Sequence, residues 1–307
     1  MRKKGLLLLS LIAYSLLMIG IVKVKIYKYE NSSYAINSKA INFSIDATSA
    51  IVYNASSKEI LYQKNCHTKL LPASITKILT CITALENYEL DDYVYVTSEM
   101  INTIGSKIYL MPGDYVKVED LLLGLMLNSG NDAAKVLAMH LSGKENDFIQ
   151  LMNKLAIKIG MTDSTFNNPS GLDNETLNYT TAYDMAILTA YAIRNKEFRR
   201  IFGTKAKVVE LENHFLYLHH KHKLVQHYNY VLGGKTGYTE KAGRTLVTVY
   251  NKNNTDIIVV TLGAHNDWQI HQNFYQLFFE AKNLNTNILT NYYIKPALER
   301  LRGKKDD

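Results

Sequence analysis

The hydrophobic period of this chain changes once, near residue 205, and that change restricts its fold more than any other feature. Before it, "ASITKILTCITALE" (Ala73 to Glu86), the run from Asp120 to Met126, "AAKVLAMHL", "NDFIQLMNKLAIKIG" and "TTAYDMAILTAYAIRN" carry apolar residues at helical spacing. After it, "KAKVVEL", "YVLGGKTGYT", "RTLVTVYNK" and "TDIIVVTLGA" read as strands, and "WQIHQNFYQLFFEAKNL" closes as a helix. Upstream, "SAIVYNASSKEILYQKN" places two runs rich in Ile, Val and Tyr around "NASSKE", a hairpin signal. A hairpin, a helical block, late strands and a last helix predict an α+β fold. The N-terminal hairpin is free to join the late strands in one antiparallel sheet.

Charge narrows the function classes. The net charge of +7 invites a nucleic-acid reading. However, Arg2, Lys3, Lys4, Lys23, Lys25 and Lys28 fall within the first 28 residues, which hold no acid. The rest of the chain is close to neutral, so no basic face for nucleic acid is expected. Those bases flank "GLLLLSLIAYSLLMIGIV", Gly5 to Val22, whose eighteen uncharged residues sit at the lower limit for crossing a bilayer. Residues 1–28 are read as a signal-anchor or signal segment, the anchor being favoured because lysines follow the apolar run directly. Residues 29–44 read as a tether, 45–284 as the folded domain and 285–307 as a tail. Cys66 and Cys81 read as small apolar side chains rather than a bridge.

Three short motifs carry chemistry. Ser74-Ile75-Thr76-Lys77 is S-x-x-K, Ser129-Gly130-Asn131 is S-x-N and Lys235-Thr236-Gly237 is K-T-G, each occurring once and in that order. Singly they are weak. As an ordered set they are the signature of penicillin-recognising serine enzymes. Residues three apart on a helix share a face, so Lys77 reaches the Ser74 hydroxyl. A hydroxyl needs a base to become nucleophilic, and an amine is a base only when neutral. Burial and a second cation, for which Lys235 is the candidate, both lower an amine's pKa. Ser129 can relay a proton and Asn131 can hold a substrate amide. On the K-T-G strand, Gly237 admits a close backbone, while Lys235 and Thr236 offer contacts to a carboxylate. Backbone N–H groups of Ser74 and Tyr238 are the expected oxyanion donors.

With these motifs the chain resembles the low-molecular-mass penicillin-binding proteins, the serine-type D-Ala-D-Ala carboxypeptidases. "GSKIYLMPGDYVKVEDLLLGLMLNSGNDAA", "GMTDSTFNNPSGLDNETLNYTTAYDMA" and "GGKTGYTEKAGRTLV" extend the likeness over roughly residues 45 to 282. The resemblance implies a helical region packed on a five-stranded antiparallel sheet, with the site between them. It also implies action outside the cytoplasm on peptidoglycan stem peptides ending in D-Ala-D-Ala. β-Lactams would be inhibitors, the membrane a partner through the N-terminal segment, and no metal or organic cofactor is needed. Ser74 is then the nucleophile, Lys77 its base and Ser129 the proton relay. Two departures stand out. The tail after the last helix is too short for the second β-rich domain of many members. And "GAHNDWQIHQNF" lacks the arginine that some members place after the last strand, so carboxylate binding would lean on Lys235 and Thr236. The "NDW…H" form of that stretch resembles the spore-associated subset.

Other readings compete with this one. His214, His219, His220, His222 and His227 crowd before K-T-G, but without H-E-x-x-H they read as solvated loop and strand residues rather than zinc ligands. Glu175 stands three residues before Asn178, not four as the deacylating glutamate of class A β-lactamases would, and reads as a loop residue. A D,D-endopeptidase, a β-lactamase and a catalytically silent wall-binding module remain as rival functions. They are distinguished by muropeptide products, by penicillin turnover and by D-alanine release.

Overall fold

The structure is a computed structural model and describes residues 45–280. The expected membrane segment over 1–28, the tether and the tail over 285–307 lie outside the described residues. Among those described, no helix is long and apolar enough to cross a membrane.

The predicted hairpin forms as β1 (Ala47–Asn54) and β2 (Glu59–Lys64). It joins β7 (Val231–Thr239), β8 (Gly243–Lys252) and β9 (Thr255–Ala264) in a five-stranded sheet of order β2-β1-β9-β8-β7. All neighbouring pairs are antiparallel. The central strands β9 and β8 are buried almost throughout, which explains why they read as near-continuous apolar runs. The K-T-G strand β7 is an edge strand with one side open to a ligand.

The helical region fills the interval between the hairpin and β7. A 3₁₀ turn over Ala73–Thr76 leads into α1 (Lys77–Asn87), and α2 (Val118–Leu127), α3 (Asn131–His140), α4 (Glu145–Ile159) and α5 (Ala182–Ala192) follow. From Lys77 to Ala84 every residue of α1 is buried, so it is the central helix of the block. Gly160 ends α4 in the left-handed region at φ 93°, as its position after the apolar run predicts. Thr181 caps α5 by accepting from Asp184 N at 3.0 Å.

Several short elements escaped the sequence reading. They are the ribbon β3 (Tyr93–Tyr95) with β4 (Tyr115–Lys117), α6 (Lys196–Gly203), and β6 (Phe215–His219). A one-turn helix α7 (Lys223–His227) also went unpredicted. "KAKVVEL" does form a strand, β5 (Ala206–Glu210), but it pairs with β6 as a separate ribbon and does not enter the main sheet. The closing helix α8 spans Asp267–Tyr275 and passes into a π-helical turn over Gln276–Glu280.

Alternate residues divide the sheet between two layers. Ile258, Val260 and Leu262 of β9, with Val247 and Val249 of β8, join the core formed with the helical region. Thr248 and Thr261 point the other way, where both bond to the His271 ring of α8 at 2.7 and 3.0 Å. Cys66 and Cys81 are free and buried, as read from the sequence.

Candidate active site

Ser74 lies in the 3₁₀ turn, and Lys77 is the first residue of α1. In a 3₁₀ turn, side chains three apart eclipse one another, so the S-x-x-K spacing stacks the amine over the hydroxyl more directly than an α-helix would. The Lys77 Nζ–Ser74 Oγ distance is 2.9 Å. Two further oxygens surround the same amine, Asn131 Oδ1 at 2.8 Å and the Ser170 carbonyl at 2.6 Å. Asn131 is oriented by its other end, since its Nδ2 donates to Ile104 O at 2.6 Å. Lys77 is wholly buried. Burial first, then the charges of Lys235 and Lys221, hold its pKa well below the ordinary lysine value; Asp132 opposes them weakly.

These contacts determine what a neutral Lys77 does. A neutral amine has two N–H groups and one lone pair. Asn131 Oδ1 and Ser170 O can only accept, so they take the two hydrogens. The lone pair is left for Ser74 Oγ, which must then donate its own O–H to Lys77. With the amine neutral, this arrangement can pass the serine proton to Lys77, as a nucleophile and its base require.

The S-x-N turn sits between α2 and α3. Ser129 is buried and adopts a left-handed φ of 61°, a conformation that a non-glycine residue holds only under constraint. Asn131 begins α3. Asp132 follows it. It lies inside the first turn of α3, and its carboxylate accepts from Ile108 N at 3.0 Å and Tyr109 N at 2.9 Å. It thereby clamps the 104–111 loop beside Asn131.

Strand β7 brings the third motif. Lys235 and Gly237 face the helical region, opposite Val247 and Thr245 of β8. Lys235 is buried, its Nζ donates to Thr236 O at 2.9 Å, and burial with the nearby Lys221 charge lowers its pKa to about 7. Gly237 touches the helix start: a Cβ there would lie 2.8 Å from Ser74 N and 2.3 Å from Thr245 Oγ1. Only glycine lets the strand approach Ser74 this closely. Thr245 Oγ1 in turn donates to Pro72 O at 2.8 Å, tying sheet to helix start. Thr236 is half-buried and Tyr238 exposed. Of the eight residues singled out from the sequence, Ser74, Lys77 and Asn131 thus meet at one amine, Gly237 packs against Ser74 N and Lys235 lies near enough to lower the Lys77 pKa, while Ser129, Thr236 and Tyr238 sit on the adjoining turn and strand.

Four contributors were missed. Ser170 acts through its carbonyl, which no side-chain pattern reveals. The loop carrying it is built by Asn178, whose Oδ1 accepts from Asn167 N and Asn168 N at 2.7 and 3.1 Å. Gly171, at φ 83°, packs where a Cβ would lie 1.8 Å from Ala73 O. Lys221, bonded to Ser106 Oγ at 3.1 Å, adds positive charge near both buried lysines. It was hidden in the histidine-rich run.

That run needs correction. His214 is only slightly exposed, and His220 and His222 are buried rather than solvated. His222 lies behind β7, where its Nε2 is bonded to Thr248 Oγ1 at 3.0 Å and fills the space a Cβ on Gly234 would need. Burial lowers the pKa of His220 to about 4 and of His271 to about 3, so both are neutral packing groups. Among the described residues no cluster of His, Cys, Asp or Glu is placed to hold a metal ion. Glu175 is an exposed loop residue, as expected.

Residues 35–266 match the sequence profile of a family described as D-alanyl-D-alanine carboxypeptidase. Among curated relatives, the carboxypeptidase DacF of Bacillus subtilis is 34% identical over 71% of this chain and 58% of its own length. DacC of Escherichia coli is 35% identical over 73% and 58%. The chain thus spans under two thirds of these relatives. Among solved structures, a D-alanyl-D-alanine carboxypeptidase of Mycobacterium tuberculosis superposes with a TM-score of 0.73 at 27% identity, over 79% of this chain and 93% of that one. The Streptomyces K15 DD-transpeptidase superposes with a TM-score of 0.72 at 26% identity, over 78% and 98%.

Proposed function

This chain belongs to the D-alanyl-D-alanine carboxypeptidase family, and from that premise we propose that it removes the terminal D-alanine from peptidoglycan stem peptides by way of an acyl-enzyme. The observation that carries the reading is the Lys77 amine held 2.9 Å from Ser74 Oγ, with its two other partners both obligate acceptors.

Ser74 Oγ attacks the carbonyl carbon between the two terminal D-alanines as its proton passes to Lys77. The oxyanion is met by the backbone N–H groups of Ser74 and Tyr238, a role that the close approach of Gly237 to Ser74 N supports. Ser129 Oγ relays that proton from Lys77 to the departing amine of D-alanine, leaving an ester on Ser74 and Lys77 neutral again. Water then attacks the ester, loses its proton to Lys77, and frees the shortened peptide with Ser74 restored. The stem peptide lies along the open edge of β7, with Asn131 holding an amide. Lys235 and Thr236 receive the terminal carboxylate. An anion there favours the charged form of Lys235, so substrate binding above pH 7 is accompanied by proton uptake.

A β-lactam amide would acylate Ser74 in place of the peptide. The site acts on the outer side of the membrane, with residues 1–28 as anchor or signal and 29–44 as tether. The likeness to a DD-transpeptidase favours a second reading, in which an amine rather than water accepts the acyl group. Incubation with a D-Ala-D-Ala pentapeptide, with and without penicillin, tests both by mass spectrometry. Penicillin-sensitive release of D-alanine with a tetrapeptide product supports hydrolysis, and a peptide extended by an added amine supports transfer. No release of D-alanine, with or without an amine acceptor, defeats the reading.

A further inference from the structure

The β3–β4 ribbon turns one face to the protein and the other to solvent. Val94 and Val116 point inward and are buried, while Tyr93, Tyr95 and Tyr115 are 53%, 54% and 61% exposed. Their period-2 placement puts the three rings on one face with Lys117. The Tyr115 centroid lies 5.6 Å from that of Tyr95 and 6.2 Å from that of Tyr93, and Lys117 Nζ is 5.6 Å from the Tyr93 ring. A single exposed ring needs no explanation; a cluster of three on one small ribbon marks a contact surface.

One hydrogen-bonded chain segment links this face to the residues around Lys77. Asn131 bonds Ile104 O through its side chain and Ser106 O through its backbone N–H. Asp132 clamps the next residues, and Met111 N donates to Asp114 Oδ2 at 2.7 Å. Gly113 N and Val96 O then join that turn to the end of β3. Ile104, Tyr109 and Met111 are exposed along the way. An uninterrupted segment therefore carries exposed apolar side chains from the residue beside Lys77 to the tyrosine face.

We propose that the Tyr93–Tyr95–Tyr115 face binds the polysaccharide to which the stem peptide is attached, stacking pyranose rings on the tyrosines while the peptide end lies against Ser74. The inference rests on the reading of the cleft as a stem-peptide site. A five-residue peptide, fully extended, spans roughly 17 Å, so a sugar chain joined to it must lie on surface next to the cleft. The flat face of a pyranose presents C–H hydrogens, which suit the negative face of an aromatic ring, and the phenol hydroxyls can bond sugar hydroxyls at the rim. Charge argues against a lipid surface. Exposed Glu89, Asp91 and Asp92 flank the ribbon, and Asp91 engages Lys117 at 2.9 Å. An acidic rim repels anionic headgroups, whereas an uncharged sugar face is indifferent to it.

The test compares the full chain with a Tyr93→Ala/Tyr95→Ala/Tyr115→Ala variant and with the matching triple Tyr→Phe variant. The three side chains are exposed and the buried valines are untouched, so the ribbon is expected to fold, which the melting temperature checks. Four probes are used: soluble D-Ala-D-Ala pentapeptide, intact peptidoglycan sacculi, soluble glycan strands stripped of their peptides, and vesicles of anionic phospholipid. The alanine variant is expected to release D-alanine from free pentapeptide at the wild-type kcat/KM. On sacculi it should need roughly tenfold more substrate for half-maximal rate, the equivalent of about 1.4 kcal/mol, and it should lose binding to stripped strands. The phenylalanine variant should keep both. Unchanged activity on sacculi, an equal loss on both substrates, or loss of vesicle binding with strand binding intact would each overturn the proposal. A wild type inactive on free pentapeptide would defeat the cleft reading alone, since the stripped-strand assay judges the tyrosine face separately.

Discussion

Ser74 and Lys77 stand three residues apart on one turn, whereas Lys235 and Gly237 reach the same place from more than 150 residues further along the chain. The helical wall of the cleft makes its geometry locally. The 3₁₀ turn stacks the amine on the hydroxyl, and the all-buried α1 holds the pair. The sheet wall makes its geometry by tertiary contact. Gly237 presses on Ser74 N, Thr245 bonds Pro72 O, and buried histidines pack behind β7. The two buried amines show the same contrast. Lys77 has three oxygens around it, and burial with the Lys235 charge pushes it toward neutrality. Lys235, with a pKa lowered to about 7, is close to half-charged at neutral pH, and its charge in turn lowers the pKa of Lys77. Local stacking sets the reacting pair, and distant packing sets its charge state.

Breaking the local wall costs most. Ser74→Ala or Lys77→Ala is expected to slow acylation by penicillin at least about 10³-fold, read by the rate of fluorescent-penicillin labelling. Lys77→Arg should be as damaging, because a guanidinium stays charged and cannot take the serine proton. Breaking the junction between the walls comes next. Gly237→Ala would set a methyl 2.8 Å from Ser74 N and force the strand away. A shift of about 1 Å at the reacting atoms costs about 10²-fold in rate, with only a modest fall in Tm.

Acid should separate the walls by stability. His220 and His271 titrate near 4 and 3 in the folded protein, below the unfolded value of about 6.5. As pH falls below about 6.5 the unfolded chain takes up protons that the folded chain refuses, so stability drops. The slope approaches about 1.4 kcal/mol per pH unit for each histidine, until the folded values are reached. Thermal melts between pH 7 and 5 check this. Hydrogen exchange should show β7 and β8 losing protection before α1. The smallest effect is expected from Lys221→Ala. Its charge lowers the pKa of both buried lysines. Removing it lets Lys77 hold its proton to higher pH, and the acidic limb of the acylation profile moves up by a fraction of a unit.

The contrast between the walls also explains what could be read in advance. The S-x-x-K pair was visible because three-residue spacing is itself geometry, and the antiparallel sheet because β8 and β9 are long and apolar, while its count of five strands followed from the family resemblance. The short ribbon β3–β4 and strand β6 were not, since three to five residues give too little period to stand out. Ser170 contributes a carbonyl and Asp132 a clamp across to Ile108, and neither relation has a sequence spacing. His222 was mistaken for a solvated residue because its burial depends on Gly234 lying beneath it, a contact between distant segments.

The protonation state of Lys77 bears most directly on whether Ser74 has its base. Nitrogen-15 NMR of the lysine amines, assigned with Lys77→Arg and Lys235→Arg variants, would follow both groups from pH 5 to 10. The expected result is a Lys77 amine that loses its proton well below the ordinary lysine value and a Lys235 signal that titrates near 7. A Lys77 that stays an ammonium ion through pH 9 would contradict its assignment as the base.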